Sequence, residues 1–458
     1  MRTFRTRKGV QVVAALATVL SSAAVGGLAA TSANADPAWG PASKPLVAVG
    51  SNTIEDLYDG FGGVVPTPGD APAGQSYHTF TPLADPATGE QVYSWNANNE
   101  NGAGQGDCIS AKPGFSPIAR PNGSTDGRKA LSDAITNSNW SKATSSGACA
   151  ALSPSGMIDI ARSSSSPSGA NCASATSNCL AWIDIAHDAV SYAYSISSGA
   201  TSSQVDHLSN AQLTSLYSNT TTGTFTDPAT SVTYLACLPQ LGSGTEKFFI
   251  GKLNGGSGVL QATAEAAATA AHCTGFEENG ANTFQTNAAS AVTADAADSP
   301  APTVAITPFS VGSWISQSNG IAFNRSATGI SAGVALGFID GSTSGLLPYS
   351  GTAPNESPNN TYYSSTYGRD LFSIVSNASL NGRATAINSQ LRDIFGFLGT
   401  TWGTFGGPQT NASTSTGTIC GSSVQNTELP QFGFTAPTAA ACGAETLTVT
   451  DPAASTGS

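Results

Sequence analysis

Leu238-Pro-Gln-Leu-Gly-Ser-Gly-Thr245, running on into Glu246-Lys-Phe-Phe-Ile-Gly-Lys-Leu253, joins a strand pattern to a helix pattern through a glycine-rich turn. Tyr234-Leu-Ala-Cys237 before it reads as a buried strand, and Glu246–Leu253 reads as a helix. The turn between them, Gly242-Ser243-Gly244-Thr245, combines glycines that let backbone approach closely with hydroxyls that donate hydrogen bonds. Ser243-x-x-Glu246 has the form of a capping box, which fixes a helix start. Helix starts carry unpaired N–H groups and a partial positive charge, so such a turn attracts anions.

The same design occurs twice earlier. Leu46-Val-Ala-Val49 leads through Gly50-Ser51-Asn52-Thr53 into a helical face of Ile54, Leu57, Tyr58 and Phe61, with Thr53-x-x-Asp56 as a second capping-box pattern. Ser116-Pro-Ile-Ala119 leads through Asn122-Gly123-Ser124-Thr125 into a helix from about Asp126 to Asn137. Further strands are expected at Met157–Ile160, Trp182–Tyr194, Thr303–Ile306 and Phe372–Val375. Further helices are expected at Ser209–Tyr217, Val259–His272, Val311–Gln317 and Ala384–Leu398. Strands alternating with helices predict an α/β protein with mostly parallel sheets, whose ligands sit at the carboxyl ends of the strands. Pro66–Gly74, Gly341–Asn360 and Gly406–Gly417 read as loops.

The N-terminus reads as an export signal. Arg2, Arg5, Arg7 and Lys8 precede the apolar stretch Val12–Ala30 and the small-x-small site Ala33-Asn34-Ala35, so residues 1–35 are expected to be cleaved. The signal contains no Cys for lipid attachment, which predicts a secreted, extracellular chain. Taking those four cations from the 17 Lys and Arg leaves 13 against 29 acids, a balance of −16. That balance argues against nucleic acid and anionic membranes as partners. Charged residues make up 10%, so the surface is dressed in Ser, Thr, Asn and Gly, while 40% hydrophobic content supports a packed core. The eight cysteines point to four disulfides, and pairing sequence neighbours is the simplest arrangement: Cys108–Cys149, Cys172–Cys179, Cys237–Cys273 and Cys420–Cys442. His78, His187, His207 and His272 are scattered singly and no C-x-x-C occurs, so neither a metal nor a cofactor is expected.

Several segments in order resemble bacterial phosphate-binding proteins, the extracytoplasmic solute receptors of phosphate ABC transporters. They are Gly50–Thr53, Arg120-Pro-Asn-Gly-Ser124, Ile158-Asp-Ile-Ala-Arg-Ser163, Leu208–Tyr217, Leu238–Thr245 and Gly368-Arg-Asp-Leu-Phe-Ser-Ile-Val375. The resemblance covers roughly residues 45–400 and implies a two-lobed, periplasmic-binding-protein-like (type II) α/β fold with a hinge and an interlobe cleft, disulfide-stabilised. It implies a first lobe of 45–195 and 307–400, a second of 196–306, and a loop-rich extension at 401–458 packed partly on the first lobe. The chain would cross after about Ser195 and return near Ile306.

The resemblance also implies a monomer that binds a phosphate-like oxyanion through Ser51, Asn52, Thr53, Ser124, Ser163, Ser243, Gly244 and Thr245, with an ABC-transporter permease as a further partner. Two of the family's residues are absent: its Arg falls on Pro239, and its proton-accepting Asp falls about on Ser164. Arg162 is the cation expected to make good the loss, as against an ion pair with Asp159 or Asp184. No catalytic residue is expected. Two other readings stand beside binding: a receptor-like fold used as a surface or adhesion module, and a phosphoester hydrolase with Ser243 as nucleophile and His187, His207 or His272 folded near it.

Overall fold

The computed structural model describes residues 46–62, 92–97, 108–142 and 149–450, apart from 150, 171, 173–178, 254–258, 279, 298–299, 323, 341–346, 381–390, 392–393, 396–417, 422–423, 438–441 and 444. The export signal, most of the Ala384–Leu398 helix, His78 and the loops 66–74 and 406–417 lie outside these residues.

Nine strands matter here: β1 (Leu46–Gly50), β2 (Val92–Ser94), β3 (Ile160–Ser163), β4 (Cys179–Ile196), β5 (Thr224–Thr226), β6 (Thr233–Ala236), β7 (Val304–Ser310), β8 (Gly368–Ser376) and β9 (Glu445–Val449). They form one continuous path, β2-β1-β3-β8-β4-β7-β6-β5, with β9 also paired to β4. The 18-residue β4 makes the chain two-lobed. Its first part, to Ala189, pairs with β8, and from Val190 onward it pairs with β7. The exchange of partner between Ala189 and Val190 divides the sheet into two halves.

Each half is packed on both faces, and strand alternation shows why. In the first lobe Ile160, Ile183 and Val375 join Leu57 and Phe61 in one core, while their neighbours Ala161, Trp182 and Ile374 join Ala130 and Leu131 in the other. In the second lobe Tyr192, Tyr234 and Ile306 enter one core and Ala193, Leu235 and Ala305 the opposite one. Strands buried on both faces read as apolar runs, as the sequence indicated.

The sheet is mixed, which corrects the mostly parallel expectation. Pairs β1–β2, β1–β3 and β6–β7 are parallel. Pairs β8–β3, β8–β4, β4–β7, β5–β6 and β9–β4 are antiparallel. The cause is β4 itself: a strand that crosses between lobes meets the returning β7 and β8 head to tail, so both flanking pairs run antiparallel.

The helices that bear on the site are α1 (Glu55–Gly62), α2 (Gly123–Thr136), α3 (Gly244–Lys252), α4 (Ala281–Ala294) and α5 (Val311–Ser318). The four disulfides join Cys108–Cys149, Cys172–Cys179, Cys237–Cys273 and Cys420–Cys442. No helix among the described residues is long and apolar enough to cross a membrane.

Candidate functional site

The three turns meet between the lobes. The turns after β1 and before α2 come from the first lobe; the turn before α3 comes from the second. Their approach is close enough to require glycine. A Cβ on Gly244 would lie 2.3 Å from Ser164 Oγ and 2.7 Å from Ser124 Oγ, and one on Gly123 would lie 2.9 Å from the Gly242 carbonyl.

Hydroxyls line the contact. Ser164 Oγ lies 3.0 Å from Ser51 Oγ and 3.2 Å from Ser124 Oγ, and its backbone N–H donates to Ser124 Oγ. Thr53 Oγ1 and Thr245 Oγ1 are 3.1 Å apart across the cleft. The structure thus brings Ser51, Thr53, Ser124, Ser243, Gly244 and Thr245 into one cluster, with Ser164, which stands about where the resemblance expected an Asp, joining the first-lobe hydroxyls.

Neither capping box closes as its pattern suggests. Ser243 Oγ accepts from Glu246 N at 3.0 Å, but the Glu246 carboxylate accepts from Gln261. Thr53 turns its hydroxyl into the cleft, and Asp56 pairs with Arg325 at 2.9 Å. Arg325 also pairs with the buried Glu55 at 3.1 Å. The consequence is that Thr53 is available to the cleft while an ion pair holds the base of α1.

Arg162 and Ser163 lie apart from the cluster. The Arg162 guanidinium donates to Ser94 Oγ, to the Trp95 carbonyl at 2.7 Å and to the Gly50 carbonyl at 3.5 Å. Burial lowers its pKa, with Glu55 and Asp59 nearby opposing the shift. Neither expected ion pair forms in its place: Asp159 is held by Lys112 at 2.6 Å and by the Val47 N–H. The reason is register, since Arg162 sits opposite Gly50 in the β1–β3 pair and its side chain is drawn under β1 toward β2. Ser163 Oγ is turned onto its own loop, donating to the Ser165 carbonyl.

The cation at the cleft is Arg369 of β8, 4% exposed. It stands opposite Asp188 in the β8–β4 register, and its Nε and Nη2 lie 3.2 Å and 2.9 Å from Asp188 Oδ2. The same Nη2 donates to Thr245 Oγ1 at 2.9 Å and to Thr53 Oγ1 at 3.4 Å, while Nη1 donates to the Ser164 carbonyl. Asp188 also accepts from Ser310 Oγ and the Gly312 N–H, tying the end of β7 and the start of α5 to the point where β4 changes partner. Site and hinge therefore share one ion pair. The sequence carries half of the signal: Asp188 interrupts the apolar run of β4, and a buried charge needs an opposite partner, but Arg369 stands beside Asp370 ahead of the apolar stretch Leu371–Val375 and carries no such mark.

Two acids occupy the cleft. Ser243 Oγ donates to Glu278 Oε2, and Thr53 Oγ1 donates to Glu278 Oε1 at 3.4 Å. Glu277 accepts from Asn122 Nδ2 at 2.9 Å and from Asn52 Nδ2 at 3.3 Å. Gln240 Nε2 in turn donates to the side-chain carbonyls of Asn52 and Asn122, so amides and carboxylates stitch the lobes together. Burial pushes the Glu277 carboxyl up to about 7, opposed by its bond from Asn122. It also raises Glu278, opposed by Ser243, Arg369 and Thr53.

No protein-family model matches this chain, and no curated protein matches it. Among solved structures it is similar to PstS from Borrelia burgdorferi, at 11% identity and a TM-score of 0.33, covering 86% of this chain and 98% of that one. It is also similar to an ABC-type phosphate transport receptor from Vibrio cholerae, at 11% identity and a TM-score of 0.32, covering 76% and 93%.

The three described histidines have partners of their own. His187 Nδ1 pairs with Asp370 at 2.6 Å and its Nε2 bonds the Tyr363 carbonyl; His207 pairs with Asp206, and His272 with Asp295. Ser243 Oγ is engaged by Glu278 and Glu246. Among the described residues no group of three or more His, Cys, Asp or Glu is arranged to hold a metal ion.

Proposed function

We propose that this chain is an extracytoplasmic solute-binding protein whose interlobe cleft takes a phosphate-like oxyanion in exchange for the Glu278 carboxylate. One observation carries the reading: a carboxylate is itself an oxyanion, and here it is held by hydroxyls from both lobes, Thr53 and Ser243, beside the Arg369 guanidinium. The donor set thus has the chemistry an incoming oxyanion needs, and hydrogen bonds to charged groups are the strong kind. Thr245 lies beside Thr53, and the Ser51, Ser124 and Ser164 hydroxyls line the adjoining contact between the turns, so they add donors once the lobes part. Four disulfides fit an oxidising compartment outside the cytoplasm.

In this reading residues 1–35 are removed on export, 45–195 with 307–400 form the first lobe, and 196–306 form the second. Residues 401–458 form an extension against the first lobe, as the pairing of β9 with β4 supports. The protein acts as a monomer by binding and closing, not by catalysis, and an ABC-transporter permease is the proposed recipient of the loaded form.

Calorimetry with phosphate and with sulfate at about pH 5.5 tests the reading. Binding should occur, and Ser243→Ala and Thr53→Val should each weaken it about tenfold, the order expected for one hydrogen bond to a charged ligand. No heat with either anion, in the wild type or in Glu278→Gln, overturns it.

A second reading is favoured by the amide network of Asn52, Asn122, Gln240 and Glu277: the cleft is permanently latched and the protein serves as a surface module. A radius of gyration that stays constant across anions, pH and Glu278→Gln would support that reading.

A further inference from the structure

We propose that the solute is larger than a bare oxyanion: a phosphomonoester of a polyhydroxylated carbon skeleton, its phosphoryl group in the hydroxyl cluster and its remainder in a side cavity. This rests on the oxyanion reading of the cleft and names its substrate class. The cavity measures about 360 Å³, within the ~300–1,000 Å³ of small-molecule sites and far more than a four-oxygen anion fills. It shares its wall with the cluster, because Ser124 and Gly244 belong to both. A group bound at Ser124 therefore has open space beside it.

The lining specifies the remainder. Arg128 of α2 and Lys247 of α3 place a cation on the wall from each lobe, in a chain with only 17 Lys and Arg among 458 residues. Lys247 Nζ donates to Thr125 Oγ1 at 2.8 Å, so this cation reaches across the lobe boundary at the cavity. Serine hydroxyls of the 163–168 loop supply donors and acceptors of the kind that pair with hydroxyl groups. Trp182 and Phe248 add aromatic carbon surface, and the Trp182 indole N–H is already taken by Thr448 Oγ1. Charged N–H donors and serine hydroxyls for the oxygens of a polyol, with aromatic surface for its C–H faces, next to a hydroxyl cluster for the phosphoryl group, are what a sugar or polyol phosphate requires.

Calorimetry on the full secreted chain with inorganic phosphate, glucose 6-phosphate, glycerol 3-phosphate and glucose tests the proposal. At least one ester should bind tenfold or more tighter than phosphate, and glucose should give no heat. The double variant Arg128→Ala/Lys247→Ala should reduce the ester to the affinity of phosphate, leave phosphate binding unchanged and keep the wild-type thermal transition. Phosphate binding with neither ester exceeding it overturns the proposal and leaves the oxyanion site standing. Ester binding undiminished in the double variant, or glucose binding as tightly as the ester, also overturns it. Heat from none of the four, in wild type and Glu278→Gln alike, overturns the oxyanion reading as well.

Discussion

Arg369 and Asp188 stand directly opposite one another in the antiparallel pair β8–β4, and the guanidinium that Asp188 holds at 2.9 Å also donates to Thr245 on the far side of the cleft at 2.9 Å. One cross-strand ion pair therefore links the strand that crosses between lobes with the helix start that faces the cleft. Because Asp188 is fully buried, the pair is also a structural element of the hinge.

Asp188→Asn should lower stability by about 3 kcal/mol, since removing one partner leaves a buried guanidinium uncompensated. Urea denaturation measures this. A loss below about 1 kcal/mol would mean that Thr245, Thr53 and the Ser164 carbonyl satisfy Arg369 without its acid.

Gly244→Ala should hold the lobes apart. Its Cβ meets Ser164 Oγ at 2.3 Å and the Ser164 carbonyl carbon at 2.9 Å, so rotating the hydroxyl away does not relieve the contact. Small-angle scattering should give a larger radius of gyration than the wild type, with little change in the thermal transition. An unchanged radius would show that the turns tolerate a methyl and that closure does not depend on this approach.

Stability should fall as pH rises from about 5 to about 8. Burial raises the Glu277 carboxyl from 4.5 to about 7 and raises Glu278 as well, so the native state binds more protons than the unfolded chain in that window. Their contribution is fully present below the unfolded value and is lost as pH rises through the native one. Glu246, pushed up to about 8, and Asp184, pushed up to about 9, act in the same direction. Glu277→Gln should therefore flatten the Tm profile without removing its slope. A profile as steep as the wild type's would show that Glu277 does not contribute to the pH dependence.

The disulfide Cys237–Cys273 joins the end of β6 to the strand Thr274–Phe276, which pairs with Leu238–Pro239 and leads into Glu277 and Glu278. It holds the Ser243 turn and the two acids in one register. Cys237→Ala/Cys273→Ala should cost about 4 kcal/mol, the loop-closure entropy for a separation of 36 residues. A denaturation midpoint equal to the wild type's would contradict this.

Much of this arrangement is legible in the sequence, and the parts that are not have physical reasons. The turns at 50–53, 122–125 and 242–245 are readable because Gly, Ser and Thr beside an apolar strand have a local meaning. Helix Ala281–Ala294 is not, because Asn, Thr and Ser favour turns locally and only the burial of Phe284, Ala288 and Ala291 holds it helical. Missing that helix hides Glu277 and Glu278, which precede it. Arg162 is the cation the resemblance points to, two residues before the position of the missing Asp, yet its direction depends on the β1–β3 register, which is a tertiary property. Arg369 lies about 200 residues further along the chain, and only the β8–β4 pairing delivers it to the cleft.

In the proposed binding mode Glu278 occupies the position an oxyanion takes, so binding displaces a charge. Groups facing Glu278 include Arg369, which favours its ionised form, and Asp188, which disfavours it; Glu277 and Glu246 add negative charge around it. The most direct test is calorimetry with sulfate, whose charge is constant from about pH 5 to about pH 8, on the wild type and Glu278→Gln. Wild-type affinity should fall as pH rises, because an ionised Glu278 competes with the anion, while Glu278→Gln should bind more tightly than the wild type at about pH 8 and vary less with pH. Equal affinity of the two proteins at about pH 8, or loss of binding in Glu278→Gln, would show that Glu278 does not compete with the anion.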